Sequence, residues 1–189
     1  MPILGIMASA ISGNLWAPGK DFDSIATVTV STAVSSISFT SIPATYKHLQ
    51  IRSIARGTVA QGEMQTFYQF NSDTGSNYAY HLLRGNGTAA FADGAASAVN
   101  AAAQTRYSAA NATSGIFGAG VTDILDYSNT SKNKTVRNLG GVDANGSGQV
   151  YFTSGLWQNT SAITSIYIGI NDGGNFAQYT QFALYGIKG

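Results

Sequence analysis

The sequence is poor in charged side chains. It contains 10 Lys and Arg and 9 Asp and Glu among 189 residues, so 10% of the chain is charged and the formal net charge is +1. A typical soluble domain carries roughly a quarter charged residues. A surface with so few charges creates weak long-range fields and little repulsion between molecules. We therefore expect no nucleic-acid partner, and we expect a protein that works as part of an assembly.

Cysteine and long apolar runs are also missing. The absence of cysteine excludes disulfides and thiolate metal sites. No run of about 18 apolar residues occurs, so we expect no membrane span. The first basic side chain is Lys20, and glycine and serine interrupt the apolar start, so we expect no signal peptide. The 10 Tyr, 9 Phe and 2 Trp are too many for a disordered chain and predict a packed core.

Residues 1–20 differ from the rest of the chain, and we call them the N-terminal arm. Its prolines and glycines oppose a long helix, and its apolar residues follow no clean period. An exposed apolar tail is unfavourable in water, so the arm should pack either on a neighbouring molecule or on its own domain. The predicted partner-binding residues are Ile3, Leu4, Ile6, Met7 and Trp16.

From residue 21 onward the apolar residues alternate with polar ones. Ala26, Val28 and Val30 alternate with threonine and serine, and this period of two indicates half-buried strands. Further strands are predicted near 37–39, 49–52, 65–70, 78–83, 121–127, 134–140, 148–154, 163–170 and 176–187. Turn-forming residues separate them, for example Asn145-Gly146. The pattern predicts one all-β domain over 21–189, an antiparallel, jelly-roll-like β-sandwich.

One stretch, residues 85–120, departs from the strand pattern because it is rich in alanine, glycine, serine and asparagine. We predict a long excursion across one end of the sandwich, with a short helix over 95–104 on propensity alone. Long loops in compact domains are often functional. We therefore expect this stretch to form a contact surface.

The acidic and histidine residues do not form a convincing catalytic or metal set. Glu63 is the only glutamate, and Asp123 and Asp126 are three residues apart, which places them on opposite faces of a strand. His48 and His81 belong to separate predicted strands, with no nucleophile motif nearby. Residues 143–147 resemble the start of a calcium loop but lack its closing acidic ligand, so a hairpin turn is the simpler interpretation. We predict no enzyme activity, no cofactor and no metal.

Lys132, Lys134 and Arg137 form the one basic cluster. Nucleic-acid binding needs a broader patch of positive charge. Lysines on edge strands block unwanted pairing, so we predict that role or an intersubunit salt bridge.

Several segments occur together in one order: DSIATVTV (23–30), FTSIPATYKHLQIR (39–52), FNSDTGSNY (70–78), TDILDY (122–127), GLWQ (155–158) and FALYGIK (182–188). Together they resemble a family of small virion structural proteins of tailed bacteriophages, over roughly residues 21–189. The resemblance implies a non-catalytic β-sandwich on the surface of the phage particle. It implies no functional residues, and it leaves both head and tail locations open.

Two functions follow from this resemblance. The first is a capsid decoration, or cement, protein: a homotrimer that binds between subunits of the major capsid protein, with the arm stapling neighbours. The second is a tail fibre or receptor-binding module attached to tail proteins, in which aromatic residues contact host glycans. The aromatic candidates are Tyr78, Tyr80, Tyr107 and Trp157, of which Trp157 is better explained as core.

Overall fold

The computed structural model describes residues 21–98 and 104–189. These residues form twelve strands and no helix, and therefore no helix that could cross a membrane. The strands are β1 (Phe22–Thr29), β2 (Ile37–Phe39), β3 (His48–Ala55), β4 (Glu63–Phe70), β5 (Tyr78–Gly85), β6 (Ala90–Ala98), β7 (Gln104–Ser108), β8 (Gly118–Leu125), β9 (Lys134–Asp143), β10 (Gly148–Trp157), β11 (Ile166–Ile170) and β12 (Gln181–Ile187).

The strands form two antiparallel sheets that pack as a sandwich. The larger sheet has eight strands in the order β1-β12-β3-β8-β9-β10-β5-β6, and the smaller has four in the order β2-β11-β4-β7. The prediction of an all-β antiparallel sandwich is confirmed. Its jelly-roll detail is not confirmed, because sheets of eight and four strands differ from the usual double-sheet arrangement of eight strands. The arm lies outside the described residues.

Alternation along the strands places apolar side chains between the two sheets. In β4, every second residue is fully buried, ending with Tyr68 and Phe70. Trp157 from the larger sheet packs on Phe70 with ring centres 5.6 Å apart. Polar bonds also join the sheets, since the Thr122 hydroxyl of β8 contacts the Tyr68 hydroxyl of β4 at 3.3 Å. These contacts fix the inner face of the larger sheet and leave its outer face open.

The stretch 85–120 is not a loop excursion. It contains β6, which pairs with β5, and β7, which pairs with β4 and is almost wholly buried. The predicted helix is wrong over residues 95–98, which belong to β6, and residues 99–103 lie outside the described part of the chain. Helix propensity is a weak preference that strand pairing overrides, here through the pairing of Ala95 with Tyr80.

The hairpin between β9 and β10 has the geometry expected from its sequence. Asn145 and Gly146 have φ angles of 57° and 107°, and the Ala144 N–H donates to the Ser147 carbonyl at 2.8 Å. Positive φ at both central positions is typical of a tight hairpin turn. The interpretation of this segment as a turn is therefore confirmed.

Candidate functional site

Asp123 and Asp126, the two carboxylates considered as a catalytic pair in the sequence, contact different polar groups. Asp123 lies in β8 and accepts a hydrogen bond from Gln50 at 2.9 Å. Asp126 follows the strand at a positive φ of 49° and binds the ammonium groups of Lys132 and Lys47. Hydrogen bonds from Lys132, and then from Lys47, lower the pKa of Asp126 to about 2. A carboxylate held ionised by two lysines is suited to fixing a loop rather than to donating a proton.

Two further acid and base candidates, Glu63 and His48, also have structural contacts, while His81 is exposed on β5. Glu63 accepts a bond from Gln149 at 2.9 Å, and burial raises its pKa against the opposing charge of Arg106. His48 accepts the backbone N–H of Asp126 at 2.9 Å. Within residues 21–98 and 104–189, no three His, Asp or Glu side chains are placed to hold a metal ion.

The basic cluster does not lie on an edge strand. Lys134 and Arg137 belong to β9, which runs between β8 and β10 in the middle of the larger sheet, so the edge-strand prediction is wrong. Lys134 is fully buried, and its ammonium donates to the carbonyls of Asn129, Lys132 and Thr160 at 2.7–2.9 Å. Burial lowers the pKa of Lys134, and Asp126 opposes that shift. Lys134 therefore links the connection between β8 and β9 to the connection between β10 and β11.

Three of the four aromatic residues proposed for glycan contact are buried. Tyr78 and Tyr107 have no exposed surface, and Trp157 is 1% exposed, which confirms the core interpretation of Trp157. The Trp157 indole N–H donates to the Asp73 carboxylate at 2.7 Å. Burial opposes ionisation of Asp73, yet hydrogen bonds from Trp157, Asn77 and the Gly75 N–H together lower its pKa. Only Tyr80 is partly exposed.

An apolar ridge lies on the outer face of the larger sheet. Four neighbouring strands contribute one side chain each in direct register: Leu83 opposes Phe152, Phe152 opposes Leu139, and Leu139 opposes Val121. These side chains are 55%, 50%, 56% and 39% exposed, in the order Leu83, Phe152, Leu139, Val121. A contiguous patch of this kind on a protein with few charges typically marks an interaction site.

A groove of about 870 Å³ runs across the strands, and Leu139 and Val121 of the ridge are among its lining residues. The next row of outer residues forms its floor, and three of the four are small: Gly85, Gly141 and Ala119, with Val150 between them. Gly141 cannot be replaced freely, because an added Cβ would lie 2.2 Å from the Gln149 carbonyl oxygen. The groove thus arises where close backbone approach requires glycine. Arg52 and Asp143 are among the polar residues that line it.

A second, polar cleft of about 480 Å³ lies beside β5, β6 and β7. Arg84 donates to Gln149 at 3.0 Å, and its guanidinium lies 4.5 Å from the centre of the Phe91 ring. Arg106, Gln65 and Tyr80 also line the cleft. An aromatic ring beside planar polar side chains is able to stack on and hydrogen-bond a sugar.

The ridge was missed in the sequence, although a signal for it was present. The run Val150-Tyr151-Phe152 is apolar at three consecutive positions, which places large apolar groups on both faces of β10. Only Tyr151 is buried, while Val150 and Phe152 are exposed. The predicted partner-binding residues of the arm (Ile3, Leu4, Ile6, Met7 and Trp16) lie outside the described residues, so their role stays a prediction.

Comparison with known proteins gives no independent assignment: no family model, curated protein or solved structure matches the chain. The resemblance to phage virion proteins therefore stays a prediction.

Proposed function

We propose that this chain is a non-enzymatic structural protein of a bacteriophage particle, a capsid decoration protein that binds between capsid subunits and stabilises the head. The observation that carries the proposal is the ridge of Leu83, Phe152, Leu139 and Val121 beside the apolar groove. The sequence resemblance supplies the phage context. The low charge fits a surface that is covered in an assembly.

The free energy available from covering the ridge favours assembly through many weak contacts rather than through one strong contact. Full burial of a large apolar side chain is worth about 1.5–3 kcal/mol. The four ridge side chains are about half exposed, so covering them is worth about 3–6 kcal/mol in total. Association costs about 4–15 kcal/mol in lost freedom. One ridge alone therefore binds weakly, whereas several linked copies gain affinity through avidity.

The number and position of copies on purified particles tests the proposal. Quantitative mass spectrometry should find hundreds of copies per particle, and a cryo-EM map should place them on the outside of the head. A dozen copies or fewer at the tail would favour the second function. Particles that lack the protein altogether would refute both.

A point variant tests the ridge directly. Leu139→Lys places a charge within the ridge, and we expect it to lower occupancy on capsids at least tenfold. Thr135→Lys is the matched control, because Thr135 is exposed on the same strand and lies on the same face, two alternating positions away. Equal occupancy of the two variants would exclude the ridge as the capsid contact.

The polar cleft supports a second candidate, a tail fibre or receptor-binding module that recognises host surface glycans. Arg84, Arg106 and Phe91 offer the stacking and hydrogen-bonding groups that sugars require. A glycan array probed with the purified protein tests this function. We expect Arg106→Gln to weaken any binding at least tenfold, with Arg52→Gln, outside the cleft, as the control. An array without signal would remove this candidate.

A further inference from the structure

The groove on the outer face has the form of a binding site for an extended apolar segment. Its floor of Gly85, Val150, Gly141 and Ala119 crosses β5, β10, β9 and β8, and Leu139 and Val121 of the ridge line one side. Three spacings of about 4.8 Å between four strands make the floor about 14 Å long. An extended segment of about five residues spans that length at about 3.3 Å per residue.

The N-terminal arm contains a segment of this length and chemistry. Residues 3–7, Ile-Leu-Gly-Ile-Met, are five consecutive residues without a polar side chain, and no charged residue occurs before Lys20. An uncharged segment loses no ionic hydration when it enters an apolar groove, so burial of its aliphatic side chains is not opposed by the cost of desolvating a charge.

The tether between this segment and the sandwich is long. Residues 8–20 are 13 residues, which span up to about 43 Å when extended at about 3.3 Å each. The arm joins the domain at Asp21, beside β1, which is an edge strand of the larger sheet. The segment can therefore reach a groove on an adjacent molecule.

The outer face beside this attachment point disfavours a return onto the same sheet. The Arg52 guanidinium lies there between two rings, 5.4 Å from the centre of Phe22 and 5.1 Å from the centre of Tyr185. An arm folding back would cross the neighbouring Gln50–Asp123 pair and would remove water from the Asp123 carboxylate, whereas Arg52 lines the groove itself and is met by an arm from either molecule. An arm that leaves the edge toward a second molecule avoids that cost.

We propose that residues 3–7 of one copy bind in the outer groove of a second copy of this chain. The inference rests on the proposed assembly function and names its first partner. The arm and the groove are different surfaces of one molecule, so copies can exchange arms reciprocally in a two-fold dimer or bind head to tail in a closed ring. Each copy then both donates an arm and accepts one.

Cysteine cross-linking tests the contact, because the chain has no cysteine of its own. A Met7→Cys chain that carries a size tag is mixed with an untagged Leu139→Cys chain and oxidised. We expect a mixed disulfide dimer as the main product. Thr135→Cys replaces Leu139→Cys in the control, and the yield should fall at least tenfold, because Thr135 lies on the same face away from the groove.

Two outcomes would overturn the inference. One is that Leu139→Cys and Thr135→Cys give equal yields of the mixed dimer, or that neither gives any. The other is a double variant, Met7→Cys with Leu139→Cys, that forms only an internal disulfide, since the arm would then bind its own sheet. Light scattering gives a check that needs no point variant: the full chain should be oligomeric, and deletion of residues 2–16 should give monomers. A monomeric full chain at high concentration would contradict the contact.

These tests separate the inference from the proposed function. Cross-linking and light scattering use the isolated protein, whereas the virion proposal depends on particles. A failed cross-link with hundreds of copies per head would leave the decoration function standing without arm exchange. A successful cross-link with no copies on particles would support arm exchange and refute the decoration function.

Discussion

Replacement of Lys134 by methionine should destabilise the fold through the loss of three hydrogen bonds. The ammonium of Lys134 is fully buried and donates to the carbonyls of Asn129, Lys132 and Thr160. A hydrogen bond to a charged group contributes about 1.5–3 kcal/mol. Two effects reduce the sum: methionine removes the cost of burying a charge, and the carbonyls lie in exposed connections that admit water.

We therefore expect Lys134→Met to lower the free energy of unfolding by about 3 kcal/mol. For a chain of this size, that corresponds to a fall in Tm of about 6–12 °C. Urea unfolding at pH 7, followed by tryptophan fluorescence, measures the change. Lys132→Met is the control, since the Lys132 side chain is 56% exposed and an exposed ion pair such as the one with Asp126 contributes little to stability.

The free energies of unfolding of Lys134→Met and Lys132→Met test this reasoning. If Lys134→Met unfolds within 1 kcal/mol of the unmodified chain, roughly the level expected for a surface position, the three bonds contribute little and the reasoning is wrong. An unchanged slope of unfolding against urea concentration would show that the variants are compared between the same states.

Three further predictions concern pH and packing. Burial raises the pKa of Tyr68 to about 12, so the unfolded chain loses this proton first, and Tyr68 should contribute a fall in stability of up to about 2.7 kcal/mol between pH 10 and 12. Tyr68→Phe should make this part of a stability–pH curve less steep without flattening it, because burial also raises the pKa of Tyr78 to about 12. The pKa of Asp126 is lowered to about 2, so its contribution is complete above pH 4 and is lost toward pH 2; Asp126→Asn should reduce the pH dependence in that window, and the part that remains includes Asp73, whose pKa is also lowered. Gly141→Ala should cost about 1–3 kcal/mol by overpacking, while Gly62→Ala, where an added Cβ meets nothing within 4 Å, should be nearly neutral; equal thermal midpoints would contradict this account.

The strands with one polar face were predictable from the sequence alone. In β3, Leu49 and Ile51 are buried while Gln50 and Arg52 face outward, so a period of two is visible along the chain. The Asn145-Gly146 hairpin was predictable for a similar reason, because few residues accept positive φ. Both signals are local, so they can be recognised without knowing which strands are neighbours.

The stretch 85–120 could not be predicted in this way. The alanines of β6 carry no strand preference, and they become a strand because β5 offers unpaired backbone groups beside them. The ridge was also hidden, because Leu83, Phe152, Leu139 and Val121 are far apart in sequence and become neighbours only through strand register.

The sequence by itself determined the sandwich class and the scarcity of charge, because side-chain alternation and composition are properties of the linear chain. It also determined that an uncharged arm precedes the domain. Only the tertiary structure decided which side chains meet. The register between strands aligned four apolar residues into a ridge, and close packing beside the ridge requires glycine at position 141. Burial made Lys134 an internal hydrogen-bond donor rather than a surface charge.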